Sequence, residues 1–168
     1  QVVESNIIEK INPKDKPEQI AMTLAFQKAY NVALEYKDRV VLGADTIVVY
    51  GNKVLGKPKD KIDATKMLNL LNNKEHEVIT AISLINLGQN LKIVDFEKTI
   101  VKFRKLDSTI IENYVATKEP LDKAGAYGIQ GYGALLVEGI KGCYLNVVGL
   151  PLSKLNSLLN RYFNKSIL

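Results

Sequence analysis

Residues 39–58 read RVVLGADTIVVYGNKVLGKP, and the fold class turns on this stretch. Apolar residues, several of them β-branched, stand on both sides of Gly43-Ala44-Asp45-Thr46, which is a strand signal with a small and polar centre. An ionised carboxylate inside such a run is costly unless it is paired, hydrogen-bonded or metal-bound. Asp45 is therefore either a bend or strand end that reaches solvent or caps local backbone, or a functional group. Gly51-Asn52 is a hairpin turn, and Val54-Leu55 returns toward Gly56-Lys57-Pro58. That return brings Lys57 to the end of the sheet that holds Asp45.

Upstream, residues 17–36 open with Pro17 at a helix start and place Ala21, Leu24, Ala25, Ala29, Val32 and Ala33 at helical spacing. Lys28 falls on the same face. It is either a lysine whose stem packs while its ammonium snorkels outward, or an ammonium aimed into a cleft. Downstream, Ala64, Met67, Leu68 and Leu71 form the apolar face of a helix over Asp63–Asn72. Glu77–Leu87 and Leu91–Phe103 are two strands joined around Gly88-Gln89-Asn90, with Thr99, Val101 and Phe103 on the buried face of the second. Asp107 or Ser108 caps a short helix carrying Ile110, Ile111, Tyr114 and Val115. Lys118–Gly133 (KEPLDKAGAYGIQGYG) is a glycine-rich loop, neither a Walker A loop nor a Rossmann fingerprint. Two further strands are expected at Ala134–Ile140 and Cys143–Val148. A last helix after Pro151 turns Leu152, Leu155, Leu158, Leu159 and Tyr162 toward the core. Helices and strands mixed in this way make an α/β domain.

Composition narrows the chemistry. The 168 residues are 46% hydrophobic and 24% charged, ordinary for a folded domain. No apolar run approaches the roughly 18–20 residues of a membrane span. One cysteine, Cys143, and one histidine, His76, exclude zinc-finger, paired-histidine and multi-cysteine sites. A Cys143–His76 dyad survives that count with no local motif behind it. Cys143 reads as a small buried residue and His76 as structural. Carboxylates, lysines and a hard metal are the tools left. The net charge of +5, with its basic excess in residues 85–168, favours phosphate-bearing partners. No aromatic-interleaved basic run points to a nucleic acid. The single cysteine fits a reducing, cytoplasmic setting.

Three blocks go beyond periodicity: LGADTIVVYGNKVLGKP at 42–58, HEVITA at 76–81, and EPLDKAGAYGIQGYGALLVEGIKGCYLNVVGLPL at 119–152, with LAFQKA at 24–29 as a fourth. Together they resemble the Maf family of nucleoside triphosphate pyrophosphatases over about residues 1–163. The resemblance implies an elongated, two-lobed, Maf/inosine-triphosphatase-like α/β fold with a central mixed β-sheet and an interlobe cleft. It implies hydrolysis of a nucleoside triphosphate to the monophosphate and pyrophosphate with a divalent metal, Mg²⁺ or Mn²⁺. The family's general base falls on Asp45 and its specificity positions on Thr46 and Gln130. Its phosphate-binding lysines fall on Lys28 and Lys57, and its DKAG pair, near the nucleotide, on Asp122 and Lys123. A metal-associated acid falls on Glu9, and Asp45 is the second candidate metal ligand.

The DKAGAYGIQG wording resembles the subgroup acting on dTTP and UTP, including some modified uridine nucleotides, and so limiting misincorporation. The amide of Gln130 both donates and accepts hydrogen bonds, which suits a uracil or thymine edge. Family members open with a hydrophobic strand and a Ser-x-Ser-Pro-Arg-Arg-like loop, and neither precedes Gln1. The expectation is one Maf-like domain over 1–168 without that strand and loop. A homodimer is the family's expectation for partners. The competing reading is a nucleotide-sensing or partner-binding regulator of septum formation that needs no turnover.

Overall fold

The computed structural model describes residues 1–168. Residues 1–16 carry no helix or strand. The regular elements begin with α1 (Pro17–Glu35), β1 (Val41–Tyr50), β2 (Lys53–Leu55) and α2 (Lys61–Leu71). The long strands β3 (Glu75–Asn86) and β4 (Leu91–Phe103) follow, then α3 (Ser108–Ala116). Three 3₁₀ turns between Glu119 and Leu136 lead into β5 (Val137–Lys141), α4 (Tyr144–Val148) and α5 (Leu152–Phe163).

The five strands form one sheet in the order β2-β1-β3-β4-β5. In place of the expected mixed sheet, all four pairings are antiparallel. Two of these follow from the connections: Gly51-Asn52 and Leu87–Asn90 are tight hairpin turns joining β1 to β2 and β3 to β4, and a hairpin reverses the chain. β1 runs unbroken through Gly43-Ala44-Asp45-Thr46, with Asp45 opposite Ala81 and Thr46 opposite Thr80. Asp45 is thus not at a strand end.

Alternation along β1 sends its residues to two differently covered faces. Ile47 and Val49, with Ile79 and Ala81 of β3, pack against Ala21 and Ala25 of α1. Val48, Val78, Val101 and Phe103 lie on the other face against Leu68 and Leu71 of α2 and Ile111, Tyr114 and Val115 of α3. On that second face α5 covers Ile82 and Leu84 with Leu155 and Leu158. Being covered on both sides, β3 is buried from Val78 through Asn86. Each such Ile or Leu contributes about 1.5–3 kcal/mol by leaving water.

Several expectations need correction. Cys143–Val148 is not a strand, because the buried amide of Asn146 needs a helical turn to reach into the sheet. Its Nδ2 donates to the Val78 carbonyl and the Thr99 hydroxyl, and its Oδ1 accepts from the Thr80 N–H. Residues 134–136 belong to a 3₁₀ turn, so β5 starts only at Val137. Leu152 and Tyr162 are exposed, since α5 buries only the narrow stripe through Leu155 and Leu158. Cys143 is half-buried, its backbone N–H and carbonyl both bonded to Thr99 Oγ1.

Candidate active site

Small residues bring α1 against β1. A side chain at Gly43 would stand 2.7 Å from the Ala25 carbonyl oxygen and 2.8 Å from the Ala29 nitrogen, so glycine alone permits this approach. One helical turn below Leu24, Lys28 then reaches Asp45. Its Nζ lies 2.5 Å from Asp45 Oδ1 and 3.1 Å from Glu9 Oε1. The snorkelling reading of Lys28 therefore gives way: the ammonium sits between two carboxylates.

Glu9 lies in the irregular N-terminal stretch, and one side chain fixes it there. Gln27 grips the backbone of Lys10 at both ends, accepting its N–H at 3.1 Å and donating to its carbonyl at 2.7 Å. This side-chain amide replaces the ladder bonds a neighbouring strand would supply.

Burial pushes the Asp45 carboxyl above the usual carboxylate range, with Lys28 opposing and the charge of Glu9 assisting. Burial pulls the other way on Lys28, yet its bonds and charge contacts with Asp45 and Glu9 hold its ammonium above the usual lysine value. Asp45 is thus a carboxylate whose proton affinity depends on where the Lys28 ammonium sits.

These groups line one cleft of about 680 Å³, within the range of small-molecule sites. Lys28 and Glu9 form one side, and Asp45 and Thr46 lie on β1. Lys57 follows β2, and Asp122, Lys123, Ile129 and Gln130 close the opposite side. Every residue singled out in the sequence for the site lines this cleft. The Asp122 carboxylate accepts from Lys123 Nζ at 2.7 Å, which lowers the Asp122 pKa.

Thr46 carries a fixed polarity. The Thr80 hydroxyl donates to the Asn146 carbonyl at 2.8 Å, which uses its only proton. In the 2.8 Å contact between Thr46 Oγ1 and Thr80 Oγ1, Thr46 is therefore the donor. Its oxygen is left as an acceptor toward the cleft.

Glu9 and Asp45 both face the Lys28 ammonium, and no third Asp, Glu, His or Cys joins them in a metal-holding group. With the Lys28 ammonium drawn aside, the pair would offer oxygen ligands to a hard divalent cation that takes the rest from phosphate and water.

The sequence reading missed Asn146, Gln27, Tyr114 and Glu119. The signal for Glu119 was its place just ahead of DKAG. For Asn146 it was a lone amide within an apolar run. His76 is structural, as expected: it is buried, with Nε2 2.7 Å from the Tyr127 hydroxyl and its ring edge-on to Phe103. Nδ1 has no partner. Burial lowers the His76 pKa to about 4, so the unfolded chain takes up the proton first as the pH falls. The stability this gives is present above pH 6.5 and drains away toward pH 4. Between pH 7 and pH 5 the loss from His76 alone is expected to be about 2 kcal/mol. Urea unfolding across that window checks it: His76→Gln should remove most of the slope, and an unchanged slope would overturn the assignment.

Residues 1–162 match the family described as Maf-like protein. The chain is 52% identical over 163 residues to the dTTP/UTP pyrophosphatase of Clostridioides difficile, covering 97% of this chain and 84% of the relative. It is 49% identical over 169 residues to the dTTP/UTP pyrophosphatase of Alkaliphilus oremlandii, covering 100% of this chain and 88% of that protein. The protein of the same name from Clostridium botulinum (strain Kyoto / Type A2) is 50% identical over 163 residues.

Proposed function

The chain belongs to the Maf family, and from that premise we propose that it hydrolyses dTTP and UTP to the nucleoside monophosphate and pyrophosphate. The observation that carries this reading is the Lys28 ammonium held between Asp45 and Glu9, in a cleft that Lys57 and Gln130 also line. In the family's two-lobed terms, α1 forms one wall of that cleft and residues 122–130 the other.

Asp45 acts as general base. It accepts a proton from the water that attacks the α-phosphorus, while the bond from that phosphorus to the α–β bridging oxygen breaks and pyrophosphate departs. Lys28 and Lys57 offset the charge gathering on the leaving group. As the triphosphate draws the ammoniums toward itself, their hold on Asp45 loosens and its basicity rises when the substrate is in place. Lys123 adds a further cation to the opposite wall. Glu9 and Asp45 are the residues that would hold a divalent cation such as Mg²⁺ or Mn²⁺, which when bound would supply charge neutralisation for the triphosphate.

Base choice follows from Thr46 and Gln130. An acceptor-only Thr46 matches the imide N3–H that uracil and thymine carry and cytosine lacks. Gln130 offers both a donor and an acceptor for the remaining edge. The test is pyrophosphate release by the full-length protein with Mg²⁺ and a panel of dTTP, UTP, CTP, GTP, 7-methyl-GTP and ITP. Release is expected to be fastest from dTTP and UTP. Preference for a purine would overturn the substrate assignment, and silence with every nucleotide would overturn the enzyme reading.

A further inference from the structure

We propose that Glu119 is a positioning residue for base selection, holding the segment that presents Gln130 from behind the cleft wall. The inference rests on the pyrophosphatase reading for its substrate and on the geometry for its mechanism. Glu119 Oε1 accepts the Tyr114 hydroxyl and the Gly133 N–H, each at 3.0 Å, and Oε2 accepts the Tyr132 N–H at 3.0 Å. Two successive backbone N–H groups form a small anion nest, and here the chain's own carboxylate fills it. Tyr114 passes the restraint onward, because its hydroxyl oxygen accepts the Gly128 N–H at 3.2 Å. Residues 128 and 133 are thereby tied to the same two side chains, and Ile129 and Gln130 lie between the ties.

The surrounding residues are shaped for this arrangement. Gly131 has φ +68°, and a side chain there would stand 2.6 Å from Glu119 Oε2. At Gly133 a side chain would stand 2.1 Å from the Gly128 carbonyl oxygen, so the two ends of the segment meet only with glycine. The Glu119 carbonyl accepts Lys123 Nζ at 3.1 Å, which anchors the neighbouring DKAG residues to the same point. Burial raises the Glu119 pKa, but the Gly133 and Tyr132 N–H groups and the Tyr114 hydroxyl outweigh it and hold the carboxyl ionised.

The chemistry requires a carboxylate. All three contacts are donors, so both oxygens must accept, and an amide can offer only one acceptor. Glu119→Gln turns an N–H donor toward a backbone N–H and releases one end of the segment. Glutamine at 130 then samples several positions, and a base edge is read less sharply. Loss of one charge-assisted bond on this scale corresponds to roughly tenfold in discrimination.

The experiment compares the full-length protein, Glu119→Gln, Glu119→Asp and Tyr114→Phe. Each is titrated with the non-hydrolysable α,β-imido analogues of dUTP and dCTP, and pyrophosphate release is followed in parallel. Glu119→Gln is expected to narrow the dUTP-over-dCTP binding ratio about tenfold and to raise KM for dTTP more than it lowers kcat. Tyr114→Phe should narrow the ratio by about threefold, and Glu119→Asp should restore part of it. A merely structural role would lower the melting temperature and leave the ratio untouched. An unchanged ratio in folded Glu119→Gln or Tyr114→Phe would overturn the proposal, as would a parent protein that binds the two analogues equally. A parent that discriminates between the analogues without releasing pyrophosphate would sink the pyrophosphatase reading alone.

Discussion

Asp45→Asn is expected to lower kcat for pyrophosphate release from dTTP by about 10³-fold, far more than it weakens nucleotide binding. Asparagine keeps the size and the position on β1 but cannot take up the proton of the attacking water. It also removes a negative charge from a cleft that must accept a triphosphate, which offsets the loss of one of the two carboxylates that would hold the cation. Unfolding is not a competing explanation. Burial raises the Asp45 pKa, so the folded chain holds that proton more tightly than the unfolded chain does. A group of this kind contributes most below its ordinary pKa, and its contribution declines as the pH rises. At neutral pH its neutral analogue should melt no lower than the parent, with Lys28 still paired to Glu9. The pH profile gives the second check: activity in the parent should fall as the pH drops through the titration of Asp45. Near-parental turnover in a folded Asp45→Asn protein would remove Asp45 from the role of base.

Gly43→Ala is expected to damage stability and activity together. The added methyl group would press on the Ala25 carbonyl and the Ala29 backbone nitrogen, neither of which can rotate away. The helix must shift outward, and overpacking against backbone of this kind costs about 3 kcal/mol. The displaced helix carries Lys28 away from Asp45, and a misplacement near 1 Å costs on the order of 10²-fold in rate. Urea unfolding and pyrophosphate release below the unfolding midpoint measure the two effects. A variant within about 0.5 kcal/mol of the parent, with parental kcat, would show that the contact yields freely.

Local pattern made much of the fold legible. Ala21, Leu24, Ala25 and Ala29 recur at helical spacing because α1 lies flat on the sheet, and Thr99, Val101 and Phe103 alternate because one face of β4 is covered. Local pattern misleads most where a side chain bonds across the fold. CYLNVV at 143–148 has strand-like composition, yet Asn146 must deliver four-way hydrogen bonding to Val78, Thr80 and Thr99. Nothing within those six residues announces partners so far along the chain. The same holds for Glu119, whose donors lie on α3 and beyond Gln130. Lys28 and Asp45 could be proposed separately, but no pattern states that one ammonium joins two carboxylates.

The long β3–β4 hairpin also bears on the order in which the molecule assembles. Its strands face each other across the short turn at Leu87–Asn90, so pairing them closes little chain. Completing the cleft demands far longer closures, such as the one joining Thr80 to Asn146, 66 residues apart. On closure entropy the hairpin is expected to form early and the cleft late. A nucleotide that recognises the finished cleft has little to hold in the folding transition state, and its stabilisation appears as slower unfolding.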